Sequence, residues 1–264
     1  MGKKKTLGFA LGSGGGRGVA HVGFLKAMEE VGVKADYVSG CSMGSVVGAA
    51  YAKGMPVDEM YKVMSRLRFF DLFSFGGKAG GFIGTKKMRS LLARYLGETQ
   101  FSDLNIPFRC VAVDVITQSL VEMGEGSVVD AVVASSSIPT IFTPTIKDGL
   151  RLVDGGVLER VPVRLVKKMG ADVVIAVDVL GFRQCKDPEK CPTAVEMLFD
   201  VIDIMDNQRT KRYKAENKHI IDMWLEPDLG NMSPYSFKQL TFAYEQGYKL
   251  GTENAEKIKK LIEK

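Results

Sequence analysis

The sequence predicts an α/β fold with a largely parallel central sheet. Short apolar runs alternate with longer stretches of helical periodicity along the chain, and glycines separate several of them. Parallel strands need long crossover connections, most often helices, so this alternation is typical of α/β proteins. The 264 residues contain neither an internal repeat nor an interdomain linker, and we expect one domain over residues 1–264.

The individual elements follow from residue spacing. Residues 6–11 form an apolar run that predicts a buried strand, and residues 15–31 have an apolar helical face that ends at Gly32. The last predicted helix is amphipathic, so it packs on the body of the protein or on a partner. The other predicted strands are residues 37–39, 108–115, 119–122, 173–179 and 220–225, and the other predicted helices are residues 45–51, 85–96, 128–134, 193–216 and 237–262.

The composition is that of an ordinary folded protein, with 45% hydrophobic and 25% charged residues. Part of the net charge of +5 comes from lysines near the two ends, and no basic and aromatic stripe indicates nucleic acid as a partner. The first apolar run is too short for a signal peptide, and no apolar stretch is long enough to span a bilayer. We therefore expect a cytoplasmic protein.

The cysteines and histidines do not indicate a metal site. Four cysteines and two histidines occur in the chain without the spacing of zinc ligands, and we expect no metal and no cofactor. Cys185 and Cys191 flank a short polar loop. We expect both as free thiols, with a local disulfide bridge as the alternative.

A candidate nucleophile follows the second predicted strand. Residues 40–44 read Gly-Cys-Ser-Met-Gly and lead into a helix of small residues. Glycines at both ends of such a pentapeptide allow a sharp strand-to-helix turn, which exposes the serine hydroxyl beside the helix N-terminus. Ser42 is therefore the predicted nucleophile.

A glycine-rich loop at residues 12–18 follows the first strand. Its backbone N–H groups, next to a helix N-terminus, can hold the oxyanion of an acyl-transfer intermediate. A nucleotide phosphate cradle and a purely structural turn are the alternatives. A dinucleotide fingerprint would need glycine where Arg17 stands, and a P-loop would need Gly-Lys followed by Ser or Thr, so the oxyanion role is favoured.

The base that activates the serine is a histidine or a carboxylate. His21 lies in the first helix and is expected to be a packed, hydrogen-bonded residue. His219 opens a late strand and would complete a histidine triad of the α/β-hydrolase type, although in that fold several strands precede the nucleophile. Asp154 is the favoured base, because Gly155 and Gly156 let the backbone bend and bring its carboxylate to another loop.

A cluster of aromatic residues interrupts the pattern at residues 67–82. Several phenylalanines are crowded among glycines there. Such a segment suits a mobile cover over an apolar pocket or an interfacial contact with lipid, and it equally suits a core filled around an irregular loop.

In this order, the glycine-rich loop, the Gly-x-Ser-x-Gly pentapeptide and the Asp-Gly-Gly triplet resemble the patatin-like phospholipase family. Nearly the whole chain is similar to its small bacterial single-domain members, including the stretch 134–163 around the aspartate. The resemblance implies a three-layer α/β/α sandwich and cleavage of fatty acyl esters by a serine and an aspartate without histidine. It also implies a lipid or acyl ester as substrate, with contact at a peripheral membrane surface.

The resemblance also assigns roles to single residues. It implies Ser42 as the acylated nucleophile and Asp154 as its base. It implies Gly14, Gly15 and Gly16 as oxyanion donors. Arg17 would orient the loop or favour an anionic headgroup. Ser13 and Gly16 depart from the residues that many members have there, so which amides point inward stays open. A lipid-binding or regulatory protein with little turnover is the alternative function.

Overall fold

The computed structural model of the chain describes residues 4–68, 74–75, 81–181 and 193–263. Its strands are β1 (Leu7–Leu11), β2 (Tyr37–Gly40), β3 (Ser74–Phe75), β4 (Gly81–Gly84), β5 (Phe108–Asp114), β6 (Ser119–Met123), β7 (Thr140–Phe142), β8 (Thr145–Lys147), β9 (Leu150–Asp154), β10 (Val173–Val177) and β11 (Met223–Leu225). Its α-helices are α1 (Val19–Glu30), α2 (Met43–Lys53), α3 (Val57–Met64), α4 (Lys86–Leu96), α5 (Val128–Ser135), α6 (Val163–Lys168), α7 (Ala194–Glu216) and α8 (Leu240–Ile262).

The central sheet has the strand order β11-β10-β1-β2-β5-β9-β8, and β6 also pairs with β5. The five strands from β11 to β5 run parallel, whereas β9, β8 and β6 are antiparallel to their neighbours. The prediction of a mostly parallel sheet is therefore confirmed. The antiparallel pair β8 and β9 was not predicted, because strands of three and five residues are too short for their alternation to stand out from the surrounding sequence.

Helices cover both faces of the sheet, as the residues of β1 illustrate. Phe9 points into the larger core, which also contains Phe24 of α1 and Ile258 of α8. Ala10 points the other way, into a smaller core with Val166 of α6. Because successive strand residues face opposite sides, this alternation requires a helical layer on each face. The structure thus has the expected three layers.

The last helix packs on the body along its length, in backbone contact with α1. A Cβ atom at Gly247 would lie 1.9 Å from the carbonyl oxygen of Ala20, and one at Gly23 would lie 2.0 Å from that of Tyr244. Such distances leave no space for a side chain, so the two helices meet only because glycine occupies both positions. Of the two predicted packing partners, the body of the protein is the one observed.

The strand directions bring three loops to one edge of the sheet. The parallel strands β1 and β2 end in the glycine-rich loop and at Ser42, so these segments share the carboxyl edge. Asp154 reaches the same edge from the opposite direction, because β9 is antiparallel to β5 and Asp154 pairs with Ala112. The sheet thereby positions all three predicted motifs together.

Two of the predictions concern residues outside the described ranges. Cys185 and Cys191 lie there, and so do most of residues 67–82. In and directly after the aromatic segment 67–82, the strands β3 and β4 are described, and they form a small sheet with β7. In the described ranges, no helix combines the length and apolar character needed to cross a bilayer.

The contact between α1 and α8 leads to a stability prediction. At an unhindered helix position, Gly→Ala stabilises by about 1 kcal/mol. Gly247→Ala should instead lower the free energy of unfolding by about 1–3 kcal/mol, because its methyl group would overlap the Ala20 carbonyl. Chemical denaturation measures this change. Lys249→Ala, on the exposed side of α8, is the control and should change stability by less than about 0.5 kcal/mol.

Candidate active site

Ser42 occupies the sharp turn between β2 and α2. Its backbone has φ 53° and ψ −123°, a left-handed conformation that is strained for a residue with a side chain. The flanking glycines are required by close approach: a Cβ at Gly44 would lie 2.1 Å from the Leu11 carbonyl oxygen, and one at Gly40 would lie 2.6 Å from that of Gly44. The pentapeptide therefore has the geometry that its sequence predicted.

Asp154 ends β9, and its carboxylate is held by several donors. Oδ1 accepts hydrogen bonds from the Gly156 amide at 2.8 Å and from the Cys41 thiol at 3.7 Å. The nearby Ser42 side chain also lowers the pKa of this carboxyl group. A Cβ at Gly155 would lie 2.5 Å from the Val111 carbonyl oxygen, which explains a glycine directly after the aspartate. The predicted nucleophile and the predicted base are therefore close neighbours, joined through the thiol of Cys41 next to Ser42.

The surroundings of Asp154 tune its acidity. Burial disfavours the charged carboxylate and raises its pKa to about 6, while hydrogen bonds from Ser42, Gly156 and Cys41 act in the opposite direction. An aspartate with its ordinary pKa near 3.9 would be a weak base. The raised pKa makes Asp154 a stronger proton acceptor that is still mostly ionised at neutral pH.

A run of serines at the C-terminal end of α5 contacts both residues. The Ser135 hydroxyl accepts a hydrogen bond from the Ser42 amide at 2.9 Å. Two residues further, the Ser137 carbonyl accepts one from the Asp154 amide at 2.9 Å. One short segment thus fixes the backbone of the nucleophile and that of the aspartate. The sequence showed this run only as part of the family resemblance, without a role.

The glycine-rich loop lies beside Ser42 and has one unexpected contact. Gly15 has φ 51° and lines the same cavity as Ser42. The Gly16 amide donates to the Pro234 carbonyl at 2.7 Å. That hydrogen bond engages an amide that the sequence analysis assigned to the oxyanion, so Gly14 and Gly15 remain as the candidate donors in this loop.

Arg17 is buried behind the loop. Its guanidinium group donates to the carbonyl oxygens of Leu180 at 2.5 Å and of Gly230 at 3.3 Å. These contacts connect the glycine-rich loop to the segments after β10 and before α8. Of the two roles expected for Arg17, orienting the loop agrees with this burial.

The two histidines lie in different surroundings. His21 is fully buried, and burial lowers its pKa to about 4, so the ring is neutral and its Nε2–H donates to the Gly12 carbonyl at 2.8 Å. It is a packed, hydrogen-bonded residue, as expected. His219 precedes β11, so it lies at the amino edge of the parallel strands, away from Ser42. The structure does not bring it to the predicted nucleophile.

A buried ion-pair network supports the site from the other side. Arg160 pairs with Asp178 at 2.7 Å and with Asp206 of α7 at 2.6 Å, and its carbonyl accepts the Ser13 amide at 2.8 Å. Arg209 donates to the Gly156 carbonyl at 2.6 Å. The network therefore connects α7 to the glycine-rich loop and to the loop after Asp154. These residues were not predicted from the sequence. Only Asp178 has a position that could have indicated a role, because it follows a strand at the carboxyl edge of the sheet.

An apolar cavity opens at Ser42. Aliphatic and aromatic side chains make up most of its wall, and few polar groups interrupt it. Its lining includes Met43, Val46, Leu67, Met88, Leu91, Leu92, Ile138, Ile141, Phe142, Tyr235 and Phe237. Among the described residues, no group of three or more histidine, cysteine or carboxylate side chains is arranged to hold a metal ion. The cavity is suited to a hydrocarbon chain rather than to a charged ligand.

The matches to known proteins agree with this geometry. Residues 9–167, more than half of the chain, match the family model described as Patatin-like phospholipase. The chain belongs to the patatin-like phospholipase family. A lysophospholipase of Aspergillus fumigatus is 26% identical over 97% of this chain, and an uncharacterised NTE family protein of Mycobacterium tuberculosis is 33% identical over 66% of it.

The patatin-like chain is shorter than these relatives. It spans 18% of the Aspergillus protein and 49% of the mycobacterial one. Among solved structures, VipD from Legionella pneumophila superposes with a TM-score of 0.61 at 13% identity, over 97% of this chain and 67% of VipD. At that identity the likeness concerns the fold alone.

The raised pKa of Asp154 predicts how the reactivity of Ser42 depends on pH. The carboxylate accepts the Ser42 proton only when it is ionised, so labelling by a fluorophosphonate should slow about tenfold per pH unit below about pH 6. Labelling rates measured between pH 4.5 and 8 test this. A flat profile over that range would show that Asp154 does not control the serine.

The thiol of Cys41 is expected to shift this profile. Its hydrogen bond lowers the pKa of Asp154, so Cys41→Ala should move the acidic limb of the labelling profile to higher pH. Cys110→Ala is the matched control, because Cys110 is an equally buried free cysteine on neighbouring β5. Equal shifts in both variants would attribute the effect to lost packing rather than to the thiol.

Proposed function

We propose that the protein hydrolyses fatty acyl esters, with Ser42 as nucleophile and Asp154 as its base. The observation that carries this proposal is the proximity of the Ser42 side chain to the buried Asp154 carboxylate, at the mouth of an apolar cavity. The family membership of the chain and the location of His219 at the opposite sheet edge support a pair that works without histidine.

Acylation begins with proton transfer from Ser42 to Asp154. The serine oxygen attacks the ester carbonyl carbon, and the carbonyl oxygen becomes an oxyanion. The Gly14 and Gly15 amides are the proposed donors to this oxyanion, and losing one such donor costs roughly 100- to 1000-fold in rate. When the tetrahedral intermediate collapses, the ester C–O bond breaks and protonated Asp154 returns its proton to the leaving alcohol.

Deacylation repeats these steps with water as the nucleophile. Ionised Asp154 accepts a proton from the water molecule, whose oxygen attacks the acyl carbon bound to Ser42. The second tetrahedral intermediate collapses, the bond to the Ser42 oxygen breaks, and that oxygen recovers the proton from Asp154. The carboxylic acid leaves and the free serine is restored. Proton and oxyanion chemistry at this site needs neither a metal nor a cofactor.

The cavity and the relatives indicate the class of substrate. Apolar side chains around Ser42 suit the acyl chain of a lipid, and relatives named lysophospholipase support a phospholipid or lysophospholipid. Such substrates are held in membranes, so the proposal includes a cytoplasmic enzyme that contacts the membrane at its periphery. The alternative function is lipid binding with little turnover.

The proposal predicts the behaviour of three variants. Ser42→Ala and the isosteric Asp154→Asn should each lower the hydrolysis of short-chain p-nitrophenyl esters and of lysophospholipid by at least about 1000-fold, because each lacks one of the reacting groups. His219→Ala, at the opposite sheet edge, should retain full activity. Product release is measured at pH 8, and thermal unfolding verifies that each variant is folded.

Other outcomes would change the assignment. Full activity of Asp154→Asn would remove the aspartate as base, and loss of activity in His219→Ala would favour a histidine triad. Stoichiometric binding of lipid by wild-type protein without turnover would indicate a binding protein.

A further inference from the structure

The first half of α7 carries an apolar face that points away from the protein. Each of its six side chains is between 44% and 66% exposed. We call these residues the outer α7 face: Met197, Leu198, Val201, Ile202, Ile204 and Met205. Large apolar side chains that are exposed singly are normal, whereas a contiguous apolar patch of this kind usually binds something.

Helix geometry shows that the six residues form one surface. At 3.6 residues per turn they occupy a sector of about 160° and extend over roughly 12 Å of the helix axis. Glu196, Asp200 and Asp203 follow one another at spacings of four and three, so they form a separate stripe on the helix. The second half of α7 docks on the body through buried Thr210 and Asn217. The outer α7 face therefore lies on the half of the helix that precedes these docking residues.

Basic residues lie further along the same side of α7. Arg212 lies seven residues after Met205, about 10 Å further along the axis and in line with the outer α7 face. Lys211 is beside it, and both side chains are exposed. An apolar segment followed by cations matches the layering of a bilayer surface, where hydrocarbon lies beneath anionic headgroups.

The outer α7 face is also continuous with the active-site loops. One turn after Met205, Arg209 donates to the carbonyl oxygens of Gly156 and Val157, two and three residues after Asp154. Val157 and Leu158 are themselves 38% exposed. An occupant of the outer α7 face would therefore lie next to the loop that carries the catalytic carboxylate.

We propose that the outer α7 face docks on an anionic lipid bilayer, with its apolar side chains in the acyl region and Arg212 among the headgroups. The inference builds on the proposed function, because an enzyme that hydrolyses membrane lipids must reach them at the bilayer surface. Docking places the Asp154 loop against the membrane. The hydrogen bonds of Arg209 and the pairing of Arg160 with Asp206 connect the docked helix to both catalytic loops.

Vesicle cosedimentation of the full chain tests this inference without relying on turnover. Wild-type protein should bind vesicles of phosphatidylcholine with 30% phosphatidylglycerol, and bind pure phosphatidylcholine at least threefold more weakly. The double variant Ile204→Glu, Met205→Glu should bind the anionic vesicles at least tenfold more weakly. Ile146→Glu is the matched control, since Ile146 is equally exposed but lies on β8, and it should bind like wild type.

Three results would overturn the inference. The first is that wild-type protein does not bind the anionic vesicles, and the second is that the double variant binds them as well as wild type. The third is that wild-type protein is a dimer in solution and the double variant a monomer, which would assign the outer α7 face to a second copy. Failure of the proposed function is recognised separately, as absence of Ser42-dependent hydrolysis of a soluble short-chain ester. Circular dichroism and the rate of Ser42 labelling by a fluorophosphonate establish that the variants are folded.

Discussion

The burial of a single carboxylate governs the chemistry that we propose for this protein. Removing Asp154 from water is unfavourable for its charged form, and the hydrogen bonds from Ser42, Gly156 and Cys41 partly offset that penalty. The balance leaves a base that is stronger than an exposed aspartate and still ionised at neutral pH. Without burial the pKa would fall, and without the donors it would rise further.

Supplying those donors requires several segments to meet within a few ångströms. The turns around Ser42 and Asp154 approach neighbouring backbone so closely that a side chain at Gly44 or Gly155 would overlap a carbonyl oxygen. The serine run at the C-terminal end of α5 fixes both turns, and Arg160 connects the glycine-rich loop to α7. The small residues and the buried ion-pair network therefore have the same effect, because both hold the loops of the site in one compact arrangement.

Much of this could be predicted from the sequence, because local spacing encodes it. Apolar periodicity placed most of the parallel strands and the long helices, and the glycine patterns identified Ser42, Asp154 and the loop at residues 12–18. Contacts between distant segments leave no such local pattern. The bond from the Gly16 amide to Pro234 and the pairing of Arg160 with Asp206 join residues far apart in the chain. The short strand β9 also escaped prediction, although it carries the aspartate.

The direction of β9 has a further consequence for how the protein tolerates change. Ser42 and Asp154 come from strands on either side of β5, one parallel and one antiparallel to it, and the pairing of Asp154 with Ala112 fixes their separation. A shift of one residue in that pairing would turn the carboxylate to the opposite face of the sheet while most of the core stayed packed. A one-residue insertion within β9 itself is therefore expected to abolish the proposed chemistry while most of the core stays packed.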